Sequence, residues 1–395
     1  MLLSLLVAVA LIVLGAAQFY YSIQPKFEEN DIDVKWTATR LLDTAIIDVT
    51  LHPSLEEEAQ SVGYPNINGP SLVRVPDWVE APLGRYYLYF AHHKGKHIRM
   101  AFADQLAGPW TYYEDSTGTR SSSVLPLGKT GTPLKEGGKT NLTTLLDYMG
   151  WSEAIALAQI GRTTRKVYKE KLDQDIKTSE PTTPHLASPE IVVDHEQKRM
   201  ILYFHAVVEG SLQMSFVAQS RDGLQFEVIP KPVALPYMRS FSGDFTKKLH
   251  GQHYFLTMPG MLYRSTDGFT DFEVRQKWLF DTAVRHAGLY LQGTDLHLFY
   301  TRVGDEPERI LYTMVDVSSP NWKEWRAGPS QELLQPEKDW EGAKLPIQPS
   351  LRGEVSLQVN QLRDPDIFED RDGSLYLLYA GGGEQGIGIA SMKLE

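Results

Sequence analysis

The stretch YYLYFAHHKGKHIRMAFADQLAGPW, residues 86–110, decides how the chain is read. Residues 86–90 are a bulky aromatic run of strand length. A short polar turn with two adjacent histidines, His92 and His93, follows. A second strand-like segment, IRMAFAD, then leads to a turn and Trp110. The unit recurs. Residues 200–204 (MILYF), 253–257 (HYFLT), 296–300 (LHLFY) and 375–379 (LYLLY) repeat the aromatic run. Each run is preceded, across a turn rich in Gly, Asp or charge, by another strand-like segment. These begin at Ser71, Pro189, Gly243, Ala287 and Pro365. Each run is followed by a third strand-like segment, such as LQMSFVAQS or IGIASMKL.

Five antiparallel meanders of similar size predict an all-β fold, a five-bladed β-propeller. The expected blades are 68–111, 185–229, 240–274, 284–325 and 362–394. The chain ends after the third strand of the last unit. The segment WTATRLLDTAIIDVTL (36–51) is therefore expected to add the missing outer strand and close the ring. Residues 112–184 exceed what a blade connection needs and read as a helical or loop insertion between the first two blades, with a helix near 151–171. Residues 318–360 read as a long edge loop.

Composition narrows the function classes. A net charge of −11 lacks the basic footprint that nucleic-acid binding requires. With no cysteine, disulfides, thiolate nucleophiles and Cys-ligated metals are excluded. The apolar run at residues 2–17, followed by small residues, reads as a signal peptide or a membrane anchor, leaving residues 18–395 as a secreted, periplasmic or membrane-held domain.

In a propeller the first strand of each blade lines the channel, and the second runs antiparallel to it. Starts of first strands and ends of second strands therefore share one face. By this rule His92, His93 and His205 meet Glu190, Asp244, Arg285, His286, Arg302, Arg363, Asp364 and Asp366 at one mouth. Ionisable groups so concentrated are unexpected for a purely structural core. Imidazoles near neutrality suit proton transfer, and guanidinium forks suit carboxylates or hydroxyl-rich ligands. His92, His93, His205 and Glu190 also offer divalent-metal chemistry, without any compact metal motif. No other cofactor is implied.

The segments SPEIV and RDPDIF, the runs YYLYF and LYLLY, and the tails MAFADQLAGPW and FVAQSRDGLQF carry a further likeness. The chain resembles the five-bladed propeller glycoside hydrolases, the group around families 43, 32, 62, 68 and 117, over about 68–111 and 185–394. The resemblance implies carboxylates projecting from inner strands of separate blades. It places Glu190 at the second-blade carboxylate, Asp244 at the third and Asp364 at a fifth-blade acidic-Pro site. The first-blade Asp is absent; Asn68 and Ser71 stand there. His286 is then the candidate for a substitute acid, as in agar-degrading relatives. Glu190, Asp244 and His286 are the expected catalytic residues of an exported glycosidase. His92, His93, His205, Arg285, Arg302, Arg363 and Asp364 are the expected substrate contacts. A polysaccharide lyase, with His92 or His205 as base and Arg302 or Arg363 neutralising a uronate, and a non-catalytic glycan-binding propeller are the rival readings.

Overall fold

A computed structural model describes residues 34–93, 95–114, 125–126, 185–209 and 212–395. It is a five-bladed propeller. The first blade is Asn68–Arg74, Tyr86–Ala91, His97–Ala103 and Thr111–Tyr112, with Leu125–Pro126 added to its third strand. The second is Leu186–Asp194, Arg199–Glu209, Leu212–Ser220 and Glu227–Ala234. The third is Arg239–Ser240, His253–Thr257, Met261–Ser265 and Glu273–Val274. The fourth is Val284–Gln292, Asp295–Arg302, Ile310–Asp316 and Gln331–Leu334. The fifth is Leu362–Glu369, Leu375–Gly381 and Gly386–Leu394, and its outer strand is Trp36–Arg40. The expected closure by the early segment is thus seen, antiparallel from Trp36 on Leu394 to Arg40 on Ala390. Ile47–Asp48 adds a second pairing to the same strand.

Closure is fixed by packing as well as by the ladder. The Trp36 ring is buried edge-on against Phe299 of the fourth blade at 5.6 Å, and its indole N–H donates to His297 at 3.2 Å. One tryptophan therefore anchors the closing strand against the fourth blade as well as in the fifth.

The aromatic runs are buried because each sheet packs both faces against neighbouring blades. Tyr87, Tyr89, Tyr203, Phe204 and Phe255 fill the interface from the first blade to the third, and Leu296, Leu298, Tyr254 and Trp325 fill that between the third and fourth. The Asp-Gly turns have a defined use. Asp222 accepts from the N–H groups of Leu224 and Gln225, and Asp267 from those of Phe269 and Thr270. The turn carbonyls of Gly223 and Gly268 then accept from Tyr89 (2.7 Å) and Tyr203 (2.9 Å) of the preceding blades. Both glycines have positive φ, where a side chain would be strained.

One expectation shifts. The loop read at 318–360 supplies the outer strand of the fourth blade at Gln331–Leu334, and only its later part crosses the funnel. A helix at Pro53–Val62 follows the closing strand, capped by the His52 ring at its start and by left-handed Gly63 at its end. The insertion helix expected at 151–171 and the apolar run at 2–17 lie outside the described residues. Among the described residues no helix is long and apolar enough to cross a membrane.

Candidate active site

The inner strands of blades one, two and five begin with one pattern: Asn66-Ile-Asn-Gly-Pro70, His185-Leu-Ala-Ser-Pro189 and Gln361-Leu-Arg-Asp-Pro365. The residue before each proline sits in the left-handed region, Gly69 at φ 57°, Ser188 at 52° and Asp364 at 48°. The strands carry their register shifts here. The first residue of each pattern is buried at the mouth of the channel. The residue after each proline, Ser71, Glu190 or Asp366, accepts a backbone N–H from the next blade: Ile191 at 3.0 Å, Ser240 at 3.0 Å and Leu72 at 3.3 Å.

This register separates two roles that the sequence reading merged. Glu190 is equivalent to Asp366, and Asp364 is equivalent to Ser188 and Gly69. Only the fifth blade keeps a carboxylate at the bulge. Glu190 lies deeper in the channel, where Arg239 donates to it at 2.8 Å and also to the Pro189 carbonyl at 2.6 Å. Burial raises the Glu190 pKa against the pull of Arg239. Burial, then the charge of Glu190, pushes Asp366 up to about 8. Asp366 is therefore the member of this pair pushed furthest toward its protonated form, while the Arg239 guanidinium opposes the rise at Glu190. The three side chains plug the channel.

The plug has a consequence for stability. A carboxyl whose pKa is raised on folding stabilises the protein fully below its unfolded value of about 3.9, and that contribution is lost as pH rises through about 8. Wild-type stability relative to Asp366→Asn should fall between pH 5 and pH 8.5 in urea unfolding. A constant difference across that window would contradict the assignment. The comparison isolates Asp366 from part-buried histidines such as His93, pushed down to about 3 by desolvation and then by His185, whose effect has the opposite sign.

Above the plug is a small cavity of about 140 Å³, lined by His93, Tyr237, Arg285, His286, Arg352 and Gly353 among others. Its wall is an arc of rings from successive blades. His93 and His185 are 6.2 Å apart, and the ring nitrogens of His185 and His205 approach to 3.3 Å. Tyr237 stands between His205 (4.7 Å) and His286 (4.6 Å). Nδ1 of His286 lies 2.6 Å from Oδ1 of Asp364, both buried. Burial pushes Asp364 up, but the imidazole, Arg239 and Arg363 outweigh it and hold the carboxyl well below the usual range. Burial pushes His286 down, against the pull of Asp364. The contact is not aligned as a hydrogen bond, and Nδ1 has no other partner among the described residues, but the carboxylate charge beside it favours the tautomer protonated at Nδ1. That leaves Nε2 with a lone pair, the state of a general base.

Beside the dyad is a network of buried ions. Arg363 donates to Glu384 at 2.8 Å and to Gln361 at 2.6 Å, and lies 3.3 Å from Glu308. Arg285 shares Glu308 at 3.2 Å and also donates to the Leu351 carbonyl. Glu384 further accepts from Asn66 at 2.5 Å and Asn68 at 3.1 Å. Residues 350–354 cross this mouth: Gly353 accepts from Arg363, and Glu354 accepts from the Tyr64 hydroxyl at 3.0 Å.

The structure brings His93, His205, Arg285, His286, Arg363 and Asp364 together as expected. Five expected residues lie elsewhere. Glu190 and Asp366 are in the plug. His92 turns to pack by Tyr64 at 5.9 Å, in the field of Arg99 and Glu58. Arg302 pairs with half-exposed Asp281 at 2.7 Å. Asp244 is not at the start of an inner strand, because the third blade begins at Arg239; residues after Ser240 leave the blade and bridge to Val193. There Asp244 caps a turn, accepting from the Thr246 N–H at 3.0 Å.

Asp244 lines a second, wider cavity of about 410 Å³ at the opposite mouth, with Arg74, His195, Lys247, Asp370 and Arg371; Glu190 and Asp366 form its floor. Its greater size does not make it the better candidate. Its charges are satisfied in pairs, Arg74 with Asp370 at 2.7 Å and Arg371 with Asp77 at 2.6 Å, and it has no equivalent of the His286–Asp364 contact. Among the described residues no group of three or more His, Asp or Glu is set to hold a metal ion.

His185, Tyr237, Glu308, Arg352, Glu354 and Glu384 were not expected. Only His185 had a usable signal, its place in the pattern shared with Asn66 and Gln361.

No family model matches the chain. Among solved structures, a member of glycoside hydrolase family 130, a family of mannoside phosphorylases that contains hydrolases targeting β-1,2-mannosidic linkages in Candida mannan, aligns over 93% of this chain and 96% of its own, at 10% identity and a TM-score of 0.52. A thermostable family-43 glycoside hydrolase aligns over 84% of this chain and 89% of its own, at 12% identity and a TM-score of 0.45. At such identities the likeness is one of fold, and the likeness to the family-130 structure agrees with the five-bladed propeller described above. Likeness in sequence is found in a virus: the uncharacterised protein R118 of Acanthamoeba polyphaga mimivirus is 30% identical over 352 residues, 83% of this chain and 83% of that one. The chain belongs to the family of that mimivirus protein.

Proposed function

We propose that the chain is an exported glycosidase that removes a terminal sugar at the mouth formed by His286 and Asp364. The observation that carries this reading is the 2.6 Å His286–Asp364 contact at the narrow end of a glycoside-hydrolase-type funnel. Its cavity of about 140 Å³ is small beside the roughly 300–1,000 Å³ of sites for larger ligands. It suits one ring at a chain end better than the middle of a polymer. In hydrolysis Nε2 of His286 takes a proton from water as the water attacks the anomeric carbon. Glu354, on the loop across the mouth, is the carboxyl we assign to face the leaving oxygen, which takes up a proton as its bond to the anomeric carbon breaks. This replaces the usual carboxylate pair with an imidazole and one carboxyl. Export rests on the apolar run at residues 2–17.

Elimination is the second reading, favoured by Tyr237. Its phenol is held protonated by burial and then by the charge of Asp364, and its ring lies 4.6 Å from that of His286. An imidazole base beside a phenolic acid suits removal of a proton next to a uronate carboxylate. Products decide. Incubation with an oligosaccharide panel should release a single saturated sugar with a new reducing end. An unsaturated, ultraviolet-absorbing end would establish elimination instead. Glycans returned intact would leave a binding protein.

A further inference from the structure

Ion pairing around the small cavity is uneven, and one arginine is left out of it. Glu308 lies within ion-pair distance of both Arg285 and Arg363, and Glu384 pairs with Arg363. Asp364 is engaged by His286. Arg352 has no carboxylate in an ion pair among the described residues. Its guanidinium donates to the Thr282 carbonyl at 2.7 Å and meets the Met258 sulfur at 3.2 Å, and its Nε is buried without a hydrogen-bond partner. Burial, then the neighbouring Arg285, pushes Arg352 down to about 9. A part-buried guanidinium beside a second one and outside any ion pair is costly to fold. Such a cost is relieved by an anion, and a planar fork fits a carboxylate through two parallel N–H bonds.

We propose that the terminal sugar bound here carries a carboxylate, as a uronic acid does, held by Arg352 and Arg285 on the wall of the cavity shared with His286. This rests on the terminal-sugar reading and adds the substrate class to it. The cavity admits little beyond one ring, so the anion and the anomeric carbon belong to the same residue. Tyr237 and His93 line the same cavity and are placed to meet its hydroxyls.

Calorimetric titration of the full chain with glucuronate, galacturonate, their neutral parents glucose and galactose, and glucose 6-sulfate tests the proposal. A uronate should bind at least about tenfold more tightly than its neutral parent, as expected for charge-assisted hydrogen bonds in a dry site. Arg352→Met, shown to be folded by its circular dichroism and melting, should bring uronate binding down to the neutral level. Equal binding of neutral and uronate sugars overturns the carboxylate inference and leaves the sugar site standing. Preference for the sulfate ester, or a uronate advantage that survives in Arg352→Met, also overturns it. If none of the sugars binds, the terminal-sugar reading falls with it.

Discussion

Asp364→Asn is expected to lower turnover by about 10²-fold or more while the chain stays folded. The backbone tolerates the change, because Asp364 sits at φ 48°, a region that asparagine adopts readily. The chemistry does not tolerate it. The carboxylate favours the proton on Nδ1 of His286 and so the lone pair on Nε2. An amide can donate as well as accept, and no longer selects that tautomer. The loss should fall on kcat more than on KM, because Asp364 acts through His286. The pH profile separates this from a merely structural role. Asp364 raises the His286 pKa while burial depresses it. Without the carboxylate, the acid limb of the profile should move to lower pH. A variant with wild-type turnover, or with an unmoved acid limb, would show that the dyad does not set the base.

Arg239→Met should destabilise the protein by about 3–5 kcal/mol, the usual effect of removing one partner from a buried ion pair. Arg239 is fully buried between Glu190, which it bonds at 2.8 Å, and the fields of Asp366 and Asp364. Its loss leaves Glu190 ionised in the channel, or forces it to bind a proton. The excess cost should therefore shrink when Glu190→Gln is added, although Gln alone also weakens the plug. Urea unfolding of the two single variants and the double variant gives the coupling. Additive effects would mean that the guanidinium stabilises the channel through the Pro189 carbonyl instead.

Five recurrences of an aromatic run made the blades legible, because each blade buries the same faces against its neighbours. The closing strand was legible too, since the last unit is one strand short and Trp36 begins a strand-like segment. The site was legible in part. The rule relating strand starts and ends places His93, His205, His286 and Asp364 correctly. It misplaces Asp244, because the inner strand of the third blade has only two paired residues and the next segment crosses to another blade. It misreads Glu190 by two positions, because a left-handed residue before each proline shifts the register there. Arg352 and Glu354 were hidden for another reason. They come from a loop outside the repeat, brought to the mouth by contacts such as Gly353 with Arg363. Periodicity carries no information about such contacts.

The account places the chemistry at the His286 mouth of the channel rather than at the wider mouth containing Asp244. Initial rates of terminal-sugar release, measured side by side for His286→Ala and Asp244→Asn on one cleaved substrate, test that placement most directly. The account predicts loss of about 10²-fold or more for His286→Ala and near wild-type rates for Asp244→Asn. Full activity in His286→Ala, or collapse in a folded Asp244→Asn, would move the active site to the opposite mouth.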